Sequence, residues 1–177
     1  GIFLGLFIIG ASLISIFNNY SKHRLKKFII YNNALIAHIG VGIMILGITC
    51  SSVFQSEYSH SFKVSEKKEL GGYTFELKET KIYKKENFKE LMAIFNIYKN
   101  NKDIATIDPS KRYYYVSKII TTEAGIYRHW FQDFYIVLGT EEEDNWDVKI
   151  YTNPLVNFIW IGVFLMICSG LLGIRRK

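Results

Sequence analysis

The chain has 177 residues, of which 49% are hydrophobic and 16% aromatic. That is rich for a soluble domain and too little for a wholly buried membrane protein, which implies a few membrane spans and one aqueous domain. The net charge is +6, but the basic residues form no broad patch with interleaved aromatics, which excludes a nucleic-acid binder.

The charge is informative once it is located. All 16 acidic residues lie between Glu57 and Asp147, and the segment 55–153 that contains them holds fifteen basic residues, a net of −1. The other basic residues are Lys22, Arg24, Lys26, Lys27, Arg175, Arg176 and Lys177. They flank apolar runs, as topology signals do.

In chain order, residues 2–17 form a first apolar run near the lower limit for a span, ~17–25 residues. The chain opens on Gly1 without a basic n-region, so a helix cut by the start of a fragment fits better than a signal peptide. We expect a membrane helix truncated at its start over 1–17 and a basic cytoplasmic or matrix loop and helix entry over 18–33. A full-length second helix follows over 34–54. Residues 55–153 follow as an outer-face β domain, on the periplasmic or intermembrane-space side. A third helix over 154–174, with Pro154 in its first turn, leads to a basic cytoplasmic or matrix tail over 175–177. Tyr151, Phe158 and Trp160 suit an interfacial aromatic belt.

The outer segment reads as β. "GGYTFELKE" (71–79) puts Tyr73, Phe75 and Leu77 on one face and Thr74, Glu76 and Lys78 on the other, the period of a half-buried strand. "LMAIFNIYKNNKDIATI" (91–107) has two β-type runs about a turn at "KNNKD". "RYYYVSKII", "DFYIVLG" and "WDVKIY" add three candidate strands. The fold class expected is about three transmembrane α-helices plus an antiparallel β domain, a small barrel or sandwich, inserted before the last helix. The acidic run "EEED" (141–144) reads as a solvated turn.

The second apolar run, "ALIAHIGVGIMILGIT", contains one ionisable residue, His38. On a helix Tyr31, His38, Gly42, Ile45 and Thr49 lie within about 40° of one face. Intramembrane ionisable groups are candidates for function because burying them is costly. His38 either hydrogen-bonds a neighbouring helix or ligates a metal, haem iron being the obvious one in a membrane. Gly42 leaves space for a flat ligand to approach; Gly40 and Gly47 allow close helix packing. One histidine cannot supply both axial ligands. His23 sits among basic residues, and His60 and His129 lack metal-ligand spacing, so a surface reading serves for both. Cys50 and Cys168 lie in apolar runs and read as small buried side chains. No phosphate loop, nucleophile elbow, HExxH or carboxylate pair is visible, so no catalytic residue is assigned.

Six stretches in sequence carry a resemblance: "AHIGVGIMILGI" (37–48), "LGGYTFEL" (70–77), "DPSKRYYY" (108–115), "TTEAGI" (121–126), "DFYIVLG" (133–139) and "YTNPLVNFIWIGVFLM" (151–166). Together they resemble the C-terminal part of the CcmF/NrfE family of cytochrome c maturation proteins. The resemblance implies a haem lyase of the bacterial cytoplasmic membrane or the mitochondrial inner membrane that attaches haem to apocytochrome c. It implies work with a haem chaperone, with subunits presenting apocytochrome c, and with the N-terminal part of the same protein. The family's "AHxG" histidine is an axial ligand of a haem b, a role that falls on His38. The tryptophan-rich haem-handling motif, the outer-face histidines and the partner ligand are absent from these residues. By resemblance the chain is thus part of a haem–apocytochrome c ligase that does not ligate alone. Arg112 and Arg128 are candidates for haem propionates or for ordinary ion pairs. The alternatives are a non-catalytic docking module with a structural His38, and a transporter fragment.

Overall fold

A computed structural model describes residues 1–20, 32–142 and 145–174. His23, Tyr31, the seven flanking basic residues and the 143–144 half of the acidic run lie outside the described residues. The described residues form two compact units. The first comprises residues 1–55, 130–132 and 153–177, and the second residues 56–129 and 133–152.

The first unit is built from helices α1 (Ile2–Tyr20), α2 (Asn33–Val53) and α3 (Val156–Ile174). All three are long and apolar enough to cross a membrane. At 1.5 Å per residue, the 21 residues of α2 reach about 31 Å, matching a hydrocarbon core of ~30 Å. Glycine lets α2 and α3 meet backbone to backbone. A Cβ built on Gly40 would lie 2.7 Å from the Gly162 carbonyl oxygen, and one on Gly162 would lie 2.5 Å from that of Gly40. Neither position tolerates a side chain, and the approach suits small-residue packing between membrane helices.

Polar ties join the helices near the start of α2. Asn19 Nδ2 donates to Asn32 Oδ1 at 3.1 Å, and the Ser169 hydroxyl donates to the Asn33 carbonyl. Residues 130–132 also belong with the helices. The Leu155 amide donates to the Phe131 carbonyl (2.9 Å), and Asn157 Nδ2 donates to that of Trp130 (3.3 Å). Trp130 and Phe131 are 70% and 64% exposed, and Trp160 on the first turns of α3 is 68% exposed. The amphipathic rings of Trp130 and Trp160 suit a membrane–water boundary.

Pro154 does not enter the first turn of α3. It ends the last strand, and Leu155 turns the chain with φ of 58° before Val156 begins the helix. A proline restricts the residue before it to extended backbone, which suits a strand end as well as a helix start.

The second unit is a β-sandwich of strands β1 (Ser56–Phe62), β2 (Lys67–Leu70), β3 (Tyr73–Lys84), β4 (Phe88–Lys99), β5 (Lys102–Ile107), β6 (Ser110–Tyr114), β7 (Ile120–Glu123), β8 (Gly125–Tyr127), β9 (Gln132–Glu142) and β10 (Asn145–Pro154). One sheet runs β1-β10-β9-β8; the other runs β2-β3-β4-β6-β7, with β5 also on β4. Alternating residues of both sheets fill the core: Phe62, Phe75, Leu77, Phe95, Ile97, Phe134, Ile136 and Ile150 are each 0–1% exposed. Phe62 meets Phe95 edge-on at 5.5 Å, and Phe75 meets Phe134 at 5.7 Å, the geometry aromatic quadrupoles favour.

The strand over 73–77 and the hairpin at "KNNKD" form as expected. Lys99 pairs with Lys102, and Asn100 and Asn101 take φ of 50° and 60°, the twist a two-residue hairpin turn needs. A bulge between Leu77 and Glu79 shifts the register of β3 on β4. "RYYYVSKII" is not one strand. It divides into the end of β6 and the start of β7, with Lys118 at φ 57° in the turn. Its continuous β-propensity hid that turn, which contains neither Gly nor Pro. Glu141 and Glu142 extend β9 rather than forming a turn.

Candidate functional site

The site is built around His38 on α2. His38 is exposed on the helix surface, as are Ala34 one turn before it and Ser52 near the helix end. Its Nδ1 lies 2.6 Å from the Ala34 carbonyl oxygen. A carbonyl can only accept, so Nδ1 carries the proton, and in the neutral ring this puts the lone pair on Nε2. Nε2 has no hydrogen-bond partner among the described residues. A neutral imidazole with one nitrogen tied to a carbonyl and the other open is the form in which histidine ligates metals. The donor chemistry therefore fits one axial position on a haem iron.

Gly42 plays a different part from the one its spacing suggested. A Cβ there would lie 2.6 Å from Ile9 Cγ1 and 2.9 Å from the Gly5 carbonyl oxygen. Helix α1 fills the space, so Gly42 is a packing residue and leaves no opening for a flat ligand. Its partners lie in another helix, and helical spacing alone could not place them. The polar tie of Asn32, Asn33 and Ser169 was also missed. It sets the first turn of α2, where the Ala34 carbonyl meets His38. The "NN" pair ahead of the apolar run was its available signal.

The other candidates belong to the β-sandwich. His60 is exposed on β1, and the His129 amide donates to Asp133 Oδ1 at 3.2 Å. No group of three or more His, Cys, Asp or Glu side chains is placed to hold a metal among the described residues. Arg112 is engaged structurally. Its Nε donates to Glu90 Oε1 at 2.8 Å, its Nη1 lies 3.5 Å from Glu123 Oε1, and its guanidinium lies over the Phe88 ring. Glu90 is 7% exposed. Burial alone would raise its carboxyl, but hydrogen bonds from Ser110 and Arg112, with the Arg112 charge, hold it below the usual carboxylate range. Asp133, 2% exposed, goes the other way. Burial pushes its carboxyl up, and the His129 amide and the Arg128 charge only partly offset this.

Three apolar helices with a β-sandwich inserted before the last, and one open imidazole among the helices, define a membrane protein with a candidate cofactor ligand. Residues 53–154 match the family model described as the CcmF C-terminal beta-sandwich. The chain belongs to that family.

Its relatives are similarly named. A "cytochrome c-type biogenesis protein CcmF" from Pseudomonas aeruginosa is 33% identical over 138 residues, covering 77% of this chain and 21% of that protein. A "cytochrome c-type biogenesis protein NrfE" from Haemophilus influenzae is 30% identical over 168 residues, covering 93% of this chain and 26% of its own. The chain thus spans between a fifth and about a quarter of these relatives' length. A solved structure titled "Cytochrome c Heme Lyase CcmF" superposes with a TM-score of 0.76 at 13% identity, over 95% of this chain and 28% of that one. At that identity the likeness speaks for the fold.

Proposed function

We propose that this chain is the C-terminal portion of a cytochrome c-type biogenesis protein that takes part in covalent attachment of haem to apocytochrome c, with His38 supplying one axial ligand to a membrane haem b. Family membership and the relatives' names support the process. The observation that carries the residue assignment is the Nδ1–Ala34 carbonyl bond, which leaves the Nε2 lone pair open on an exposed helix face.

Bound there, haem b supplies a one-electron redox couple. The chain's own part is to hold and orient. The Ala34 carbonyl fixes the ring's tautomer and increases the basicity of Nε2. The ties from Asn19 and Ser169 pin the turn that carries this carbonyl. The second ligand, the haem-handling tryptophans and the ligation site belong to the N-terminal part of the protein. The remaining partners are a haem chaperone and the subunits that present apocytochrome c. The basic residues of 22–27 and 175–177 assign those segments to the cytoplasmic or matrix side, and the β-sandwich to the periplasmic or intermembrane-space side.

The test is a reduced-minus-oxidised spectrum of the complex purified from native membranes through a C-terminal tag on this chain. A b-type spectrum is expected in the wild type, lost or weakened in His38→Ala while the same subunits co-purify. An unchanged spectrum in His38→Ala, or no haem in an intact complex, overturns the ligand assignment and leaves a docking module.

A further inference from the structure

The six-stranded sheet extends past its four-stranded cover at one end. Paired residues of adjacent antiparallel strands point to the same face, so the pairs Ile82–Leu91, Lys84–Lys89, Lys89–Tyr113 and Tyr113–Ile120 continue the core-facing side. Leu91 still packs on the core. Lys111, opposite Leu91, reaches the Gly139 carbonyl of the covering sheet. Beyond that link the inward face is bare: Ile82 is 58%, Tyr113 36% and Ile120 64% exposed. The β3–β4 and β6–β7 turns meet at this end, where the Tyr115 amide donates to the Asn87 carbonyl at 3.0 Å. Val116 and Ile119 on the second turn are 92% and 56% exposed.

Charge is gathered at the same end. Residues 81–89 and 111–120 hold seven basic residues and one acidic, Glu86. Lys81 pairs with Glu79, and Arg112 with Glu90 and Glu123; the other five are Lys84, Lys85, Lys89, Lys111 and Lys118. Lys84 and Lys89 stand on this face beside Ile82, Tyr113 and Ile120, and Lys85 and Lys118 are exposed on the two turns. Exposed apolar side chains set among charges mark an interaction site, and charge of one sign selects the opposite charge.

We propose that this uncovered shelf docks a partner protein through a segment combining acidic and apolar side chains. The rows of the shelf favour a peptide laid across the strands over insertion into a bilayer. The β3–β4 apex is Lys84-Lys85-Glu86-Asn87, with nothing to bury in hydrocarbon. The surface is independent of His38 and of haem.

The experiment places a photo-crosslinking amino acid at Val116, with a control at the exposed Val64, in the full protein in its native membranes. Cross-linked products are identified by mass spectrometry. We expect a Val116-specific adduct to an identified protein within an acidic, apolar-bearing segment. Lys84→Glu/Lys85→Glu/Lys118→Glu should reduce its yield about tenfold or more, and Lys→Gln at the same positions should reduce it less, as expected for lost charge complementarity. Thermal unfolding of each variant verifies the fold. Adducts to lipid only, no Val116-specific adduct, an adduct in a basic or neutral segment, or a yield indifferent to charge reversal overturns the proposal.

Discussion

Two buried carboxylates separate what burial does from what partners do. Glu90 is held ionised by Ser110 and Arg112. Its folded-state value is lowered, so its stabilisation is full above the ordinary carboxylate range and is lost as pH falls through the lowered value. Glu90→Ala leaves the buried Ser110 hydroxyl and Arg112 without their acceptor. It should lower stability by about 1–3 kcal/mol at pH 7, read by thermal unfolding, and the loss should shrink in acid. Asp133 has the opposite sign. Its raised value makes the charged form a burden in the fold above that value, relieved as pH falls through it. Asp133→Asn keeps an acceptor for the His129 amide and should raise the melting temperature at pH 7, with the gain vanishing on acidification. Little of this was legible in the sequence. His38 stood out because an ionisable residue in an apolar run has few ordinary explanations. The burial of Glu90 and Asp133 depends on strand pairings between distant residues; Glu90 lies outside the six resembling stretches, and Asp133 opens one of them, "DFYIVLG", without any local sign of its burial.

At the scale of elements, glycine contacts divide the helical unit into tolerant and intolerant positions. A Cβ on Gly162 would lie 2.5 Å from the Gly40 carbonyl oxygen, whereas one on Gly170 would meet nothing within 4 Å. Gly162→Leu must push α3 from α2, an overpacking change that commonly costs about 1–3 kcal/mol. Gly170→Ala should be neutral or slightly stabilising through helix propensity. Thermal unfolding in detergent distinguishes them: a clear loss for the first and none for the second. The three spans were legible from length and apolarity, and the β4–β5 hairpin from its Asn-Asn turn. The β6–β7 turn was not, because "YVSK" carries no Gly or Pro and its left-handed residue is a lysine.

For the whole molecule, the sidedness inferred from the terminal basic clusters leads to a labelling prediction. In a Cys50→Ser/Cys168→Ser background, a cysteine placed at exposed Val64 should react with a membrane-impermeant maleimide from the periplasmic or intermembrane-space side. One placed at Lys177 should react only after the membrane is opened. The reverse pattern would invert the topology. The architecture of spans around a β insertion was legible because apolar runs and strand periodicity are local signals. The choice of sandwich over barrel was not, since it depends on which strands remain at edges. The bulge in β3 has a consequence for chain length. Lys78 is the unpaired extra residue between Leu77–Phe95 and Glu79–Ile94. Deleting it would join two regular ladders and leave every inward side chain inward, whereas one residue inserted between Phe95 and Ile97 would turn part of the core to solvent. A residue can therefore be lost at this point in the sandwich without exposing the core, while the stretch opposite it is fixed in length.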